Sequence, residues 1–337
     1  MNTGGFHLFG ASTIMTLPQP QPLLAFLQEL LKDAVRTSLT LFKITIPISI
    51  LTKLLTEFGL INELGAALGP VMELVGLPGS MGLVWATAMV THLYGGMIVF
   101  ASLAPDANLT VAQVTILTTM MLVAHALPVE LRIAQKAGTR FRVMASLRLA
   151  GAFTLGWLLF QCYRITDTLQ TANRSIWTPP QQDPSWMVWF LNEVRNLFSI
   201  FLIILCLLFI MRILEKIGII SLMTSLLKPL LSLLGISKEA APLTIIGMTL
   251  GISYGGGLII QEAQTGKLTK QDVFYSMALM GLCHSVFEDT MLMMVLGGHL
   301  SGVLWARLVF ALLSIALLVR LSRRIPTTIF NRYMLRP

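Results

Sequence analysis

His284, Glu288 and Asp289 stand together in GLCHSVFEDTMLMMV, a stretch that is otherwise apolar enough for a bilayer interior. A second pair, His125 and Glu130, flanks Pro128 in MLVAHALPVELR and repeats the His-to-acid spacing of His284 and Asp289. Ionisable groups are costly inside hydrocarbon, so they face a cavity or one another. Imidazole beside carboxylates takes up a proton near neutrality or holds a cation. On a continuous helix His284 and Glu288, four apart, share a face, with Asp289 about a third of a turn round. The five residues are therefore read as an ion-coupling centre for H⁺ or Na⁺. The competing reading is a structural buried His/carboxylate pair or a wet hairpin end, and no metal is assigned.

Other polar residues carry weaker signals. His92, two before Tyr94, points into the same cavity or, the preferred reading, is satisfied by backbone. Gln261 and Glu262 line a cavity mouth or cap a helix at the surface. Arg148 and Arg307 pair a buried acid or, as preferred, extend to headgroups. Cys162, Cys206 and Cys283 lie in or beside apolar runs and suggest packing, not a disulfide framework. Enzymatic chemistry is not expected. There is no HExxH, and His284 with Glu288 offers two ligands where a catalytic zinc needs three. Whether His92, His125 and His284 converge is not legible from sequence.

Glycine supplies the second chemical element. Ser253-Tyr254-Gly255-Gly256-Gly257 interrupts one apolar run and Tyr94-Gly95-Gly96 another. Each glycine costs a helix about 1 kcal/mol. Backbone freed from helix bonding is tolerated at membrane depth only where it is buried in protein or lines a cavity. These residues, with Gln261 and Glu262, are read as the solute-binding segment. Close helix packing through small residues is the alternative.

The two sets belong to a duplication. Gly59, Pro70, Gly76, His125 and Arg148 recur as Gly218, Pro229, Gly235, His284 and Arg307 at a constant offset of 159. Tyr94-Gly95-Gly96 recurs as Tyr254-Gly255-Gly256 after one inserted residue. The elements that carry them belong in a membrane: of 337 residues 55% are hydrophobic and 12% charged, with a mean hydropathy of +0.76. A soluble domain carries about a quarter charged residues.

Apolar runs near the roughly 20 residues of a crossing are Leu39 to Leu55, Met81 to Leu103, Met144 to Cys162, Leu197 to Ile213, Ala240 to Ile260 and Val303 to Leu321. Val111 to Leu127 and Val273 to about Leu300 are interrupted and are read as re-entrant or broken segments. Nothing in the first 35 residues reads as a removable signal peptide. Pro22 to Arg36 reads as an amphipathic helix, on the membrane surface or capping the first repeat.

The net charge of +8 gathers at Arg132, Lys136, Arg140 and Arg142 and in the tail from Arg320 to Arg336. That is positive-inside charge, not a nucleic-acid surface. Equivalent loops of the two repeats carry opposite charge, as an inverted pair with three crossings each predicts. Lys267 and Lys270, expected outside, run against this. The expected organisation is an all-α integral membrane protein: an amphipathic segment 1–37, repeat 1 at 38–163, an extracytoplasmic linker 164–196, repeat 2 at 197–321 and a basic cytoplasmic tail 322–337.

An amphipathic helix with a central Pro (Leu64 to Gly76, Met223 to Gly235), a Tyr-Gly-Gly break and a His-bearing interrupted segment resemble the Gate, or nucleoside-recognition, domain. Related domains occur in concentrative nucleoside transporters, ferrous-iron transporter B and spore maturation proteins A and B. The resemblance covers about Leu39 to Tyr163 and Leu197 to Leu321. It implies two inverted helical gate repeats and transport of a small polar solute, nucleoside-like or ionic. Only the Tyr94-Gly95-Gly96 and Tyr254-Gly255-Gly256 breaks, with their flanking polar residues, transfer as site positions. G-x-x-x-x-G-K-[ST] is absent, which disfavours an autonomous iron transporter.

The expectation is a multi-pass inner-membrane permease with a cytoplasmic C-terminus. Its partners are membrane lipids, a small polar solute and further copies of itself in a homodimer or higher homo-oligomer, with no nucleic acid. The alternatives are a non-transporting scaffold or regulatory subunit, and lipid head-group translocation.

Overall fold

The computed structural model describes residues 23–177, 185–264, 266 and 268–336. The chain is an all-α membrane protein. Among the described residues four segments are long and apolar enough to cross a bilayer: Val111–Lys136, Phe141–Thr166, Trp186–Leu214 and Ser301–Ser322. Leucine, valine and phenylalanine on their outer faces, such as Phe198, Leu202 and Phe209 or Val309, Leu313 and Leu317, are exposed along a helical stripe suited to lipid.

The duplication is visible in the order of elements. In the first half α1 (Leu23–Glu57), α2 (Leu60–Glu73), α3 (Met81–Val90), α4 (Leu93–Ala107), α5 (Val111–Val123), α6 (Leu127–Lys136) and α7 (Phe141–Thr166) follow one another. The second half repeats them as α8 (Trp186–Lys216), α9 (Ile219–Leu233), α10 (Ala240–Leu250), α11 (Ile252–Gln264), α12 (Lys270–Leu282), α13 (Glu288–Val295) and α14 (Arg307–Ser322), the last entered through a π-helical turn at Ser301–Ala306. A short α15 (Thr327–Met334) closes the chain.

Matched residues do matched work. Gly59 and Gly218 precede the amphipathic α2 and α9 in left-handed conformation (φ 69° and 79°), which a side chain would resist. Thr110 and Thr269 form reciprocal caps with Gln113 and Asp272 at the starts of α5 and α12.

Contacts sort the loops into two ends. At one end Arg336 N–H donates to the Gly138 carbonyl (2.8 Å), Arg140 Nε to that of Leu335 (2.8 Å), and Lys270 lines a cleft with Gly138 and Arg336. At the other, Gln113 Nε2 donates to the Gly76 carbonyl (3.0 Å) and Tyr163 hydrogen-bonds Ser301 (2.7 Å). The stretch Leu169 to Ile176 is tied here to both Leu109 and Val295.

This sorting corrects the sequence reading in three places. First, α3 and α4 start and finish at the same end, packed against each other as a helical hairpin, and α10 with α11 does likewise. Their 10 and 15 residues make roughly 15 and 22 Å of helix, too short for a core of about 30 Å. The broken pair α5–α6, Val111–Lys136, is long and apolar enough to cross instead, and α12–α13 is its equivalent in the second half, so the segments read as spans and those read as re-entrant exchange roles.

Second, Lys270 lies beside the basic loop and tail, which removes the contradiction it posed. Third, the amphipathic segment is not a separate surface helix. From Leu23 it runs into the first span as one helix of 35 residues containing Pro47. The remainder of the 1–37 segment lies outside the described residues, as do Lys267 and the Thr178-Pro179-Pro180 and Asp183-Pro184 parts of the linker.

Candidate functional site

Each broken crossing ends its first half-helix just before a histidine and begins its second with an acid. The last turn of a helix leaves carbonyls without partners. The Nδ1–H of His125 donates to the Met121 carbonyl (3.0 Å), and that of His284 to the Met280 carbonyl (2.7 Å). A carbonyl only accepts, so both rings carry their proton on Nδ1 and turn the Nε2 lone pair inward. The residue after each histidine, Ala126 or Ser285, is held at positive φ (47° and 43°), uncommon for a side-chain-bearing residue. Each of these turns is docked on the preceding hairpin: Ala126 N–H donates to the Ala88 carbonyl (2.9 Å) and Val286 N–H to that of Met248 (2.8 Å).

The two turns meet. His125 Nε2 and His284 Nε2 are 3.3 Å apart, although the residues are separated by 159 positions. Glu130 Oε1 lies 3.2 Å from His284 Nε2 and 3.5 Å from His125 Nε2, and Asp289 Oδ2 lies 3.9 Å from His125 Nε2. Glu130 and Asp289 occupy the first turns of α6 and α13, where the helix N-terminus favours negative charge. His284 (2% exposed), His125 (5%) and Glu130 (7%) are buried, and Asp289 is half-buried.

For Arg148 and Arg307 the sequence reading preferred the wrong one of its two alternatives. Neither extends to headgroups, for each is 1% exposed. Arg148 Nη1 pairs with Glu130 Oε2, while its Nε and Nη2 donate to the carbonyls of Val123 (2.9 Å) and His125 (3.0 Å). Arg307 Nη2 donates to the His284 carbonyl. Freed carbonyls at membrane depth need such donors. The pseudo-symmetry is incomplete, since Arg307 Nη1 has no hydrogen-bond partner where Arg148 Nη1 has Glu130. The signal in the sequence was the strict Arg match between repeats.

The remaining candidates fall differently. Glu288 does not share a helical face with His284, because His284 precedes α13 in the turn. It is half-buried and within electrostatic reach of Tyr94 and Asp289. Tyr94 stands edge-on to His92 with ring centroids 5.9 Å apart. His92 Nδ1 accepts the Gly95 N–H (3.3 Å), capping α4 as the preferred reading had it.

The helix breaks themselves fall at Thr91-His92 and at Gly251 (φ 102°), ahead of the Tyr-Gly-Gly segments, which are helical. Gly96 and Gly256 serve close packing. A Cβ on Gly96 would stand 2.9 Å from Ala88 Cβ and 3.2 Å from the Val84 carbonyl oxygen, and one on Gly256 2.5 Å from Ile133 Cγ2. The side chains of Ser253, Tyr254 and Gly255 lie outside what is described. Gly257 is exposed, and Gln261 and Glu262 sit in the last turn of α11, not with the histidines.

Two imidazole lone pairs and two carboxylates converge, and no proton lies between the nitrogens in the tautomers that the carbonyls impose. Lone pairs at 3.3 Å repel unless a proton or a metal ion bridges them. A bridging proton or metal ion would relieve that repulsion.

The Gate family model, described as nucleoside recognition, matches residues 197–300, taking in α8 to α13 with His284, Glu288 and Asp289. The "Uncharacterized membrane protein YvoD" of Bacillus subtilis (strain 168) is 26% identical over 283 residues, covering 82% of this chain and 89% of that protein. No solved structure gives a significant match.

Proposed function

We propose that this chain is a multi-pass inner-membrane permease, a secondary transporter of a small polar solute, in which two repeats of opposite orientation share one cation-coupling centre. The observation that carries this reading is the meeting of His125 and His284, contributed equally by the two broken crossings and flanked by Glu130 and Asp289. Opposite orientation is supported by the loops: Thr139, after α6, lies with the basic tail, whereas His299, the equivalent loop after α13, hydrogen-bonds Thr115 at the far end. Positive charge concentrated around Arg140, Lys270 and Arg336 supports a cytoplasmic position for that end and for the C-terminus. The solute site lies at the hairpin tips, beside Tyr94 and Glu288, and copies of the chain associate as a homodimer or higher homo-oligomer.

Breaks are where such a protein can change state, because half-helices pivot where no backbone ladder joins them. The reading implies two states related by exchange of repeat roles, and the difference between Arg307 Nη1 and the paired Arg148 Nη1 is the asymmetry such an exchange would invert. The test is flux into proteoliposomes under an imposed pH gradient, with radiolabelled uridine, adenosine and inorganic cations as probes. Gradient-dependent uptake that disappears in Glu130→Gln is expected, and uptake by the variant with the wild-type pH dependence contradicts the reading. Close packing around the histidines favours a second reading, a non-transporting scaffold. It predicts no flux of any probe and co-purification of a partner chain.

A further inference from the structure

We propose that the centre between the repeats binds a divalent first-row transition-metal ion through His125 Nε2, His284 Nε2, Asp289 Oδ2 and Glu130 Oε1. The proposal rests on reading this centre as the cation site and names the class of cation. Both imidazoles are already prepared as ligands. Their Nδ1–H groups are held by the Met121 and Met280 carbonyls, the outer contact that fixes tautomer and ring orientation in metal-binding histidines. Glu130 is prepared likewise, with Oε2 held by Arg148 and Oε1 turned to the rings.

The spacing agrees with a small tetrahedral ion. Metal–ligand bonds of about 2.0–2.1 Å place ligand atoms about 3.4 Å apart in a tetrahedron. The two Nε2 atoms are 3.3 Å apart, Glu130 Oε1 lies 3.2 and 3.5 Å from them, and Asp289 Oδ2 lies 3.9 Å from that of His125. His125, His284 and Asp289 each present a ligand atom within 4.8 Å of the others.

The donor set selects the ion. Na⁺, Mg²⁺ and Ca²⁺ are held by oxygen, whereas a two-imidazole, two-carboxylate set suits zinc-like ions. Two carboxylates neutralise a dication. Arg148 and Arg307, donating to the carbonyls of His125 and His284, add positive charge behind the ligands and lower the affinity, which suits an ion that is released. Asp289 and Glu288, both half-buried, are more exposed than His125, His284 and Glu130.

The experiment titrates the purified, tag-free full chain with Co²⁺, read by visible absorption, and with Zn²⁺ in competition. One ion per chain is expected, with the intense ligand-field bands of a tetrahedral nitrogen–oxygen site. Losing a ligand in His125→Gln or His284→Gln lowers the affinity about 100-fold or more, Asp289→Asn about 10- to 100-fold, and Glu288→Gln about threefold at most.

The wild-type spectrum needs no variant, so a misfolded variant does not shield the proposal. Absence of binding, an octahedral spectrum, or binding unchanged in the double His variant overturns it. Gradient-driven flux without metal binding overturns the metal while leaving the transport reading intact. Tight one-to-one binding without flux does the reverse.

Discussion

Replacing Arg148 and Arg307 by methionine probes the asymmetry at the centre. The two positions are equivalent in the repeats and equally buried, so burial predicts equal effects. Their partners predict unequal ones. In Arg148→Met the carboxylate of Glu130 stays buried without its counter-charge, and breaking a buried pair in this way costs about 3–5 kcal/mol. The carbonyls of Val123 and His125 also lose their donors. Arg307→Met removes one charge-assisted hydrogen bond to the His284 carbonyl, worth about 1.5–3 kcal/mol, and relieves a guanidinium nitrogen that lacks a partner. The net loss there is about 0–2 kcal/mol. Arg148→Met is therefore the more damaging, by about 1–5 kcal/mol. Adding Glu130→Leu to Arg148→Met removes the stranded charge and recovers about 2 kcal/mol, a coupling read from a double-mutant cycle. The assay is reversible unfolding in mixed detergent micelles. Equal losses, a larger loss for Arg307→Met, or additivity in the cycle would refute the reasoning.

Three further outcomes follow from the packing and the ends. Gly96→Ala overpacks the α3–α4 hairpin against Ala88 and the Val84 carbonyl and costs about 1–3 kcal/mol, whereas Gly257→Ala meets nothing within 4 Å and stabilises α11 by up to about 1 kcal/mol; melting of both variants in detergent compares them. Thr110→Ala and Thr269→Ala each lose a cap worth about 0.5–2 kcal/mol, by similar amounts because Gln113 and Asp272 each also hold the preceding loop, at the Gly76 carbonyl (3.0 Å) and the Ser237 N–H (2.9 Å); unfolding of the two variants compares them. In a cysteine-free background, single cysteines at Lys270 and Arg336 react with an impermeant maleimide from one side of the membrane, and cysteines at Asp167 and His299 from the other. Labelling of Lys270 together with His299 contradicts opposite orientation of the repeats.

The duplication was legible because Gly, Pro, His and Arg are hard to match by chance in apolar sequence, and Gly59 with Gly218 and His125 with His284 do the same local work. The matched spacing of His125 to Glu130 and of His284 to Asp289 was legible; that each histidine faces the other repeat's acid, His284 against Glu130 and His125 against Asp289, was not. Nor was their convergence, since nothing in one strand of sequence states that two turns 159 residues apart cross. Hairpin and crossing were exchanged for a similar reason: a fold-back and a broken crossing are both apolar runs with an interruption, and only the loop contacts show which end each reaches. The breaks were misplaced because glycine looks like a helix breaker. In the folded chain Gly96 and Gly256 admit neighbouring helices, and the interruption is made at His92 and Gly251. Arg148 and Arg307 were misjudged because snorkelling needs only a helix end, whereas their true partners, the carbonyls of the broken helices, are invisible until the breaks are located.

The central claim is that cations enter and leave through the His125–His284 centre. Charge displacement on a solid-supported membrane tests it most directly, with rapid jumps of pH and of Zn²⁺ applied to oriented proteoliposomes. A transient current is expected from wild type and none above the empty-liposome signal from the His125→Gln/His284→Gln double variant, folded as judged by its melt. Currents of equal size and time course in the two proteins would contradict the account.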